Sequence, residues 1–236
     1  MGKLAAMKKV DRTRYNSWLF QAAESFYERG NFEKALKYFE RLIRHHGKFL
    51  EPSMKADCFA YMGDIYLFNE DYPKAIEFLN KAIHLDDSFP HYYYLLGMVY
   101  QTQENFRRAI EEFQTAVKLE PKNSIYLEEL GRTYVLTGNL FEGCKLLKKA
   151  WKADSGNIGA GVELSGVVFS MGKFKEAIEL IQEILEQRDQ LHDGIVDYLE
   201  SLKLDAMQGM EEKAKKRRRS KTSKKKKSTS KAKKKT

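Results

Sequence analysis

Residues 92–100, YYYLLGMVY, decide how this chain is read. Three tyrosines open an apolar segment with Gly97 in its middle. A glycine inside a helix costs about 1 kcal/mol against alanine, so it needs a cause. The cause emerges on moving along the chain in steps of 34 residues. Gly97 then meets Gly63, Gly131 and Ser165. A second small position recurs at Ala75, Ala109, Gly143 and Ala177, and a third at Ala82, Ala116, Ala150 and Ile184. Large apolar residues recur at Tyr66, Tyr100, Tyr134 and Val168, and at Tyr72, Phe106, Leu140 and Phe174. The segment from Trp18 to Ile43 fits the same template six residues out of step, with HHGKFLEP absorbing the difference.

Each period carries two stretches of helical spacing, such as Phe106, Ala109, Ile110, Phe113 and Val117 in one of them. Between the two stand turn pairs: GN at 30, ED at 70, EN at 104, GN at 138 and GK at 172. Asn31, Asp71, Asn105 and Asn139 suit N-cap roles, and Asn139 with Glu142 forms a partial capping box. Pro52, Pro90 and Pro121 mark the joints.

This pattern resembles the tetratricopeptide repeat family. Five repeats are expected at 16–49, 56–89, 90–123, 124–157 and 158–191, preceded by an extension over 1–15 and followed by a capping helix over 192–209. The resemblance implies an all-α solenoid of antiparallel helix pairs wound as a right-handed superhelix. Gly63, Gly97 and Gly131 then have a packing role. Where two helices cross at about 8–10 Å, one must be small, and these glycines are expected to face bulky tyrosines and phenylalanines. In the fifth repeat Gly159, Gly161 and Gly166 weaken the first helix unless its backbone approaches a neighbour closely. In the capping helix Ile195, Leu199, Leu202 and Ala206 share one face.

No apolar run reaches the roughly 18–20 residues that span a bilayer, and residues 1–10 hold no apolar stretch of signal-peptide length. A cytoplasmic protein is expected, or a nuclear one in a eukaryote. Cys58 and Cys144 read as reduced structural thiols. GVVFSMGKF at 166–174 has the wrong spacing for a phosphate loop and Phe174 where Ser or Thr is required. His45 and His46 lack ligand partners at metal spacing. No enzyme, metal or cofactor is expected.

What remains is a surface. The resemblance implies that the first helix of each pair lines a groove. Its residues would be Phe20, Glu24 and Tyr27, then Asp57, Tyr61, Asp64 and Phe68, then His91, Tyr94 and Met98. Glu128, Glu129, Arg132, Glu163 and Phe169 would complete it. Tyr93 is expected to face the core and Tyr94 the groove. Acids outnumber the one strong cation, Arg132, so a basic or apolar partner segment suits this groove. The clamp by which a tetratricopeptide subfamily grips acidic chaperone tails needs Lys, Asn and Arg at fixed places. Here those places read Phe20, Glu24, Tyr61, His91 and Leu95 in one frame, and the other frames are no closer.

Residues 211–236 hold fifteen Lys or Arg against two Glu, a net of +13, while the other 210 residues carry a net of −4. Residues 210–236 have no large apolar group other than Met210 and are expected to stay disordered. Lys215, Lys216, Arg217, Arg218, Arg219, Lys224, Lys225, Lys226, Lys227, Lys233, Lys234 and Lys235 would contact polyanions, or loosely cover Glu128, Glu129 and Glu163. Three readings are open: an adaptor that holds a protein or peptide in its groove, a nucleic-acid-associated protein using the tail for phosphates, and a client chaperone for secretion or assembly.

Overall fold

The computed structural model describes the backbone of residues 2–187, 189 and 191–232, and the side chains of 11–187, 189 and 191–216. Five helical hairpins carry the repeats: α1 (Gly2–Glu28) with α2 (Phe32–Arg41), α3 (Pro52–Phe68) with α4 (Tyr72–Leu85), α5 (Pro90–Thr102) with α6 (Phe106–Leu119), α7 (Ser124–Leu136) with α8 (Leu140–Ala153), and α9 (Ile158–Ser170) with α10 (Phe174–Leu185). A π-helical turn, Leu42–His46, prolongs α2, and α11 (Asp193–Ala232) follows the last hairpin. No strand occurs among the described residues. The fold is an all-α solenoid of the tetratricopeptide type, divided into two compact units, Met1–Pro121 with α1–α6 and Lys122–Thr236 with α7–α11.

All five hairpins turn in the same way. Gly30, Glu70, Glu104, Gly138 and Gly172 adopt positive φ, between 57° and 82°. Each amide N–H donates back three residues, as Gly30 does to the Tyr27 carbonyl at 2.8 Å, and the next amide donates back five, as Asn31 does to Phe26 at 2.8 Å. These are paired Schellman bonds, which satisfy the last carbonyls of the first helix. Asn31, Asp71, Asn105 and Asn139 then accept from the amides of Lys34, Lys74, Arg108 and Glu142 at 3.3–3.4 Å and start the second helix. The capping box at Asn139 is half made, since the Glu142 carboxylate turns to Lys145 instead. Pro52 and Pro90 open α3 and α5, where a missing N–H is harmless.

The repeated glycines sit where the hairpins cross. A Cβ on Gly97 would lie 2.6 Å from the Phe113 ring, on Gly63 2.7 Å from Leu79 and on Gly131 3.0 Å from Leu147. Phe113, Leu79 and Leu147 are all fully buried. The expected aromatic partner holds only at Gly97; elsewhere leucine fills the same position. The fifth-repeat glycines also have packing partners. A Cβ on Gly161 would stand 2.8 Å from Trp151, and one on Gly159 2.6 Å from the Glu128 carboxylate. Close approach explains them.

Three expectations change. The extension expected over 1–15 is not separate from the first repeat: helix α1 begins at Gly2, so residues 2–15 add about four turns to it. Tyr93 is not in the core: it is half-buried and its hydroxyl donates to the Asp87 carbonyl, while the buried ring is Tyr92. Helix α11 buries Val196, Leu199, Leu202 and Ala206, with Ile195 half-buried, and it continues past 209 to Ala232. Gly209 lies inside it and leaves room for the Phe174 ring, which packs 2.6 Å from where a Cβ would be. The residues after it are mostly Lys, Arg, Ser, Thr and Ala with no Gly or Pro, so nothing there breaks a helix once nucleated. Residues 211–216 bury nothing, as their composition dictates.

Candidate functional site

In the first unit, α1, α3 and α5 enclose a cavity of about 310 Å³. Seven of the groove residues expected from sequence line it: Phe20, Glu24, Tyr27, Asp57, Tyr61, Asp64 and His91. Ala60, Phe89, Tyr92 and Leu95 complete the wall. Helical spacing sets the arrangement. Asp57 and Asp64 lie seven residues apart on one face of α3, about 10 Å along its axis, and Glu24 comes from α1.

Each carboxylate is held by one phenol. Tyr27 donates to Asp64, Tyr61 to Glu24 at 3.0 Å and Tyr92 to Asp57 at 2.6 Å. Burial, the hydrogen bond and the neighbouring charge push the Tyr27, Tyr61 and Tyr92 phenols well above the ordinary tyrosine value, so all three stay neutral donors. A carboxylate can accept several hydrogen bonds, so one phenol leaves each with spare acceptor capacity. Among the described residues no Lys or Arg pairs with Glu24, Asp57 or Asp64, and none lines the cavity. No group of His, Cys, Asp or Glu among the described residues is placed to hold a metal ion.

The rings form a continuous wall. Tyr61 stacks on the buried Phe39 at 5.2 Å, with Phe20 and Tyr27 edge-on to it at 6.1 and 5.0 Å. Phe89 tilts against Tyr92 at 4.8 Å. His91 stands at the mouth, stacked on Tyr94 at 5.5 Å. Its outer edge is exposed, yet burial of the imidazole against these rings lowers its pKa, with the Asp64 charge acting the other way.

Three expected groove residues of this unit fall outside the cavity. Tyr94 supports His91, Met98 is half-buried on α5, and Phe68 is 70% exposed and packs on Phe32 at 4.6 Å. Sequence reasoning missed Phe89 and Tyr92. The signal that could have found Tyr92 was the pairing of an acid on one first helix with a tyrosine on the next, at Glu24 with Tyr61 and Asp57 with Tyr92.

The second unit uses its acids differently. Arg132 donates to Glu128 at 2.6 Å, to Glu129 at 2.7 Å and to Glu163. Glu128 and Glu129, two of the acids expected to line the groove, are buried, at 8% and 7% exposure. Burial raises the Glu163 pKa against the opposing charge and hydrogen bond of Arg132. Arg132, Glu163 and Phe169 line a hollow of about 360 Å³ with Val162, Tyr198 and Leu202. The acids in this unit already have their cation, which leaves little for a basic tail to cover.

Of the tail residues, Lys215 and Lys216 are exposed on α11, and Lys215 stands 3.7 Å from Glu211. Lys213 is engaged, donating to the Gly172 carbonyl and lying 4.7 Å over the Phe174 ring. Arg217, Arg218, Arg219, Lys224, Lys225, Lys226 and Lys227 lie on the backbone of α11, with side chains outside the described set. Lys233, Lys234 and Lys235 lie outside the described residues. Among the described residues no helix is long and apolar enough to cross a membrane.

Two family models, both of the tetratricopeptide repeat, match residues 14–88 and 90–123. No curated protein sequence matches the chain. Solved structures share the fold at low identity. MamA residues 41 to the end, from Desulfovibrio magneticus RS-1, aligns over 75% of this chain and 97% of its own, at 21% identity and a TM-score of 0.63. A thermophilic TPR protein from Thermus thermophilus, TTC0263, covers 80% and 99%, at 18% and 0.60. YrrB, described as a TPR protein with an unusual peptide-binding site, covers 80% and 90%, at 18% and 0.58.

Proposed function

We propose that this chain, a tetratricopeptide repeat protein, is a non-enzymatic adaptor that seats a segment of a partner protein in the cavity of its first unit. Such repeats generally serve as scaffolds for protein–protein contact, and YrrB offers a peptide site on the same fold. One observation carries the reading: the cavity gathers aromatic rings and three carboxylates around an opening that no Lys or Arg among the described residues lines. Rings supply large contact area at small entropic cost, as anchor sites require.

The test is site-specific photocrosslinking in cells. A benzoylphenylalanine at Phe89, on the cavity wall, should capture a discrete polypeptide. The same group at Phe141, 72% exposed in the second unit, should not. Equal capture at both positions would reject the cavity as the binding surface.

A second activity rests on the second unit, where the basic residues of 211–236 follow the Lys145, Lys148, Lys149 and Lys152 face of α8. Such a set attracts phosphate polymers without base preference, because no ring in the tail can stack on a base. Binding to single-stranded RNA should fall steeply with salt and be largely lost on truncation after Met210.

A further inference from the structure

We propose that the first-unit cavity admits an arginine side chain from a basic segment of the partner, so that recognition is by charge as well as by shape. The proposal rests on the adaptor reading above and names the chemistry of its occupant. Charge complementarity argues it. Glu24, Asp57 and Asp64 bring three carboxylates to one cavity, and no described Lys or Arg answers them. Tyrosine hydroxyls orient these groups without neutralising them. A half-buried carboxylate held by a single phenol has acceptor capacity left for a charged donor, and charge-assisted bonds are the strong ones.

The remaining walls say what kind of cation fits. No set of these ligands is placed to share a metal ion, so the charge to be met is spread over several ångströms. A guanidinium is spread in the same way: planar, with five donors, and able to stack on aromatic faces. Phe20, Tyr61 and Tyr92 give it such faces and shelter its methylene stem. The volume of about 310 Å³ accommodates one long side chain and no folded element. His91 is biased toward its neutral form at the mouth, which keeps a competing charge away near neutral pH.

The second unit supports the proposal from within the same chain. There a guanidinium, Arg132, does lie among three carboxylates, Glu128, Glu129 and Glu163. In the first unit the register position of Arg132, two 34-residue periods earlier, is Asp64. Two periods before Glu128, Glu129 and Glu163 stand Ala60, Tyr61 and Leu95, so the first unit draws its acids from other positions, and an acid stands where the second unit has its cation.

The experiment is an NMR titration of the full-length protein with N-acetyl-arginine methylamide and with its neutral isostere, N-acetyl-citrulline methylamide. The arginine compound should shift Phe89, His91 and Leu95 amides saturably at millimolar concentration, and the citrulline compound should bind at least tenfold more weakly. Asp57→Asn with Asp64→Asn keeps an acceptor for Tyr92 and Tyr27 and should weaken arginine binding at least tenfold while helicity by circular dichroism is retained. If that pair does not fold, Glu24→Gln alone should weaken it severalfold, and the comparison of the two ligands on wild type needs no variant. Equal shifts by both compounds, or arginine shifts that leave the cavity untouched, would overturn the proposal while leaving a Phe89 crosslink intact. A concentration-dependent dimer, abolished both by the paired Asn variant and by truncation after Met210, would make the basic tail of a second copy the occupant and overturn the partner assignment.

Discussion

The two units solve one electrostatic problem in opposite ways. Asp64 and Arg132 occupy the same register position two repeats apart. In the second unit Arg132 draws Glu128, Glu129 and Glu163 onto itself, and the cluster is closed by its own chain. In the first unit Asp64, Asp57 and Glu24 receive phenols and, among the described residues, no Lys or Arg, so the cavity keeps its negative charge. Two periods before Glu128, Glu129 and Glu163 stand Ala60, Tyr61 and Leu95, so the acids of the two units come from different positions. The difference teaches that the repeat fixes where helices lie, while the residues placed on them decide whether a gathering of acids is closed by its own chain or open to a ligand.

Removing the internal cation should hurt most. Arg132→Met leaves three carboxylates facing one another, two of them buried, and should cost the second unit about 3 kcal/mol. Asp64→Asn in the first unit should cost under about 1 kcal/mol, since Asn still accepts from Tyr27. Chemical denaturation of both variants checks the pair, and equal losses would break the contrast. Next, Asp64→Arg should give the first unit a cation of its own. N-acetyl-arginine methylamide should then bind at least tenfold more weakly by NMR titration, a change of about 1.4 kcal/mol. Retained affinity would mean that charge is not what the cavity offers.

The turns sharpen the comparison further. The second unit places glycine at positive φ at both of its turns, Gly138 and Gly172, whereas the first has glycine at Gly30 alone and uses Glu70 and Glu104 at 60° and 57°. Glu70→Gly and Glu104→Gly should each stabilise by about 0.5–1 kcal/mol, because a side chain is strained there. A lower melting temperature in either variant would show that these glutamates make a compensating contact. The smallest effect is expected at His91. Its folded-state pKa is lowered by burial and partly restored by Asp64, so Asp64→Asn should lower it further. A lowered histidine pKa means the unfolded chain holds more protons just below pH 6.5, so this group's contribution to stability weakens as pH falls through that point. The imidazole titration followed by NMR should move downward in the variant, and an upward move would contradict the assigned contact.

The period of 34 residues was legible because crossing helices leave so few choices at Gly63, Gly97 and Gly131. The N-caps were legible for a similar reason, since one local geometry recurs four times. Much of the cavity wall was legible too, from Phe20 to Asp64. The rest depends on rotations that a period does not contain. One residue of helix is about 100° of turn, enough to put Tyr92 in the wall and Tyr93 against Asp87. Whether an acid is spent depends on reach between helices, as with Glu163 and Arg132, 31 residues apart. Gly209 reads from sequence as a helix end, whereas it makes room for Phe174, a contact between residues far apart in sequence.

The hairpin turn carries one more consequence. Each of the five closes with bonds between residues three and five apart, and each is followed at once by a helix that packs on the one before. Nearly everything a hairpin needs lies within about forty residues of chain. Topologies of that kind fold fast, because little loop entropy is lost before contacts form. A ribosome releasing this chain would deliver finished hairpins one by one, each complete before the next has been made.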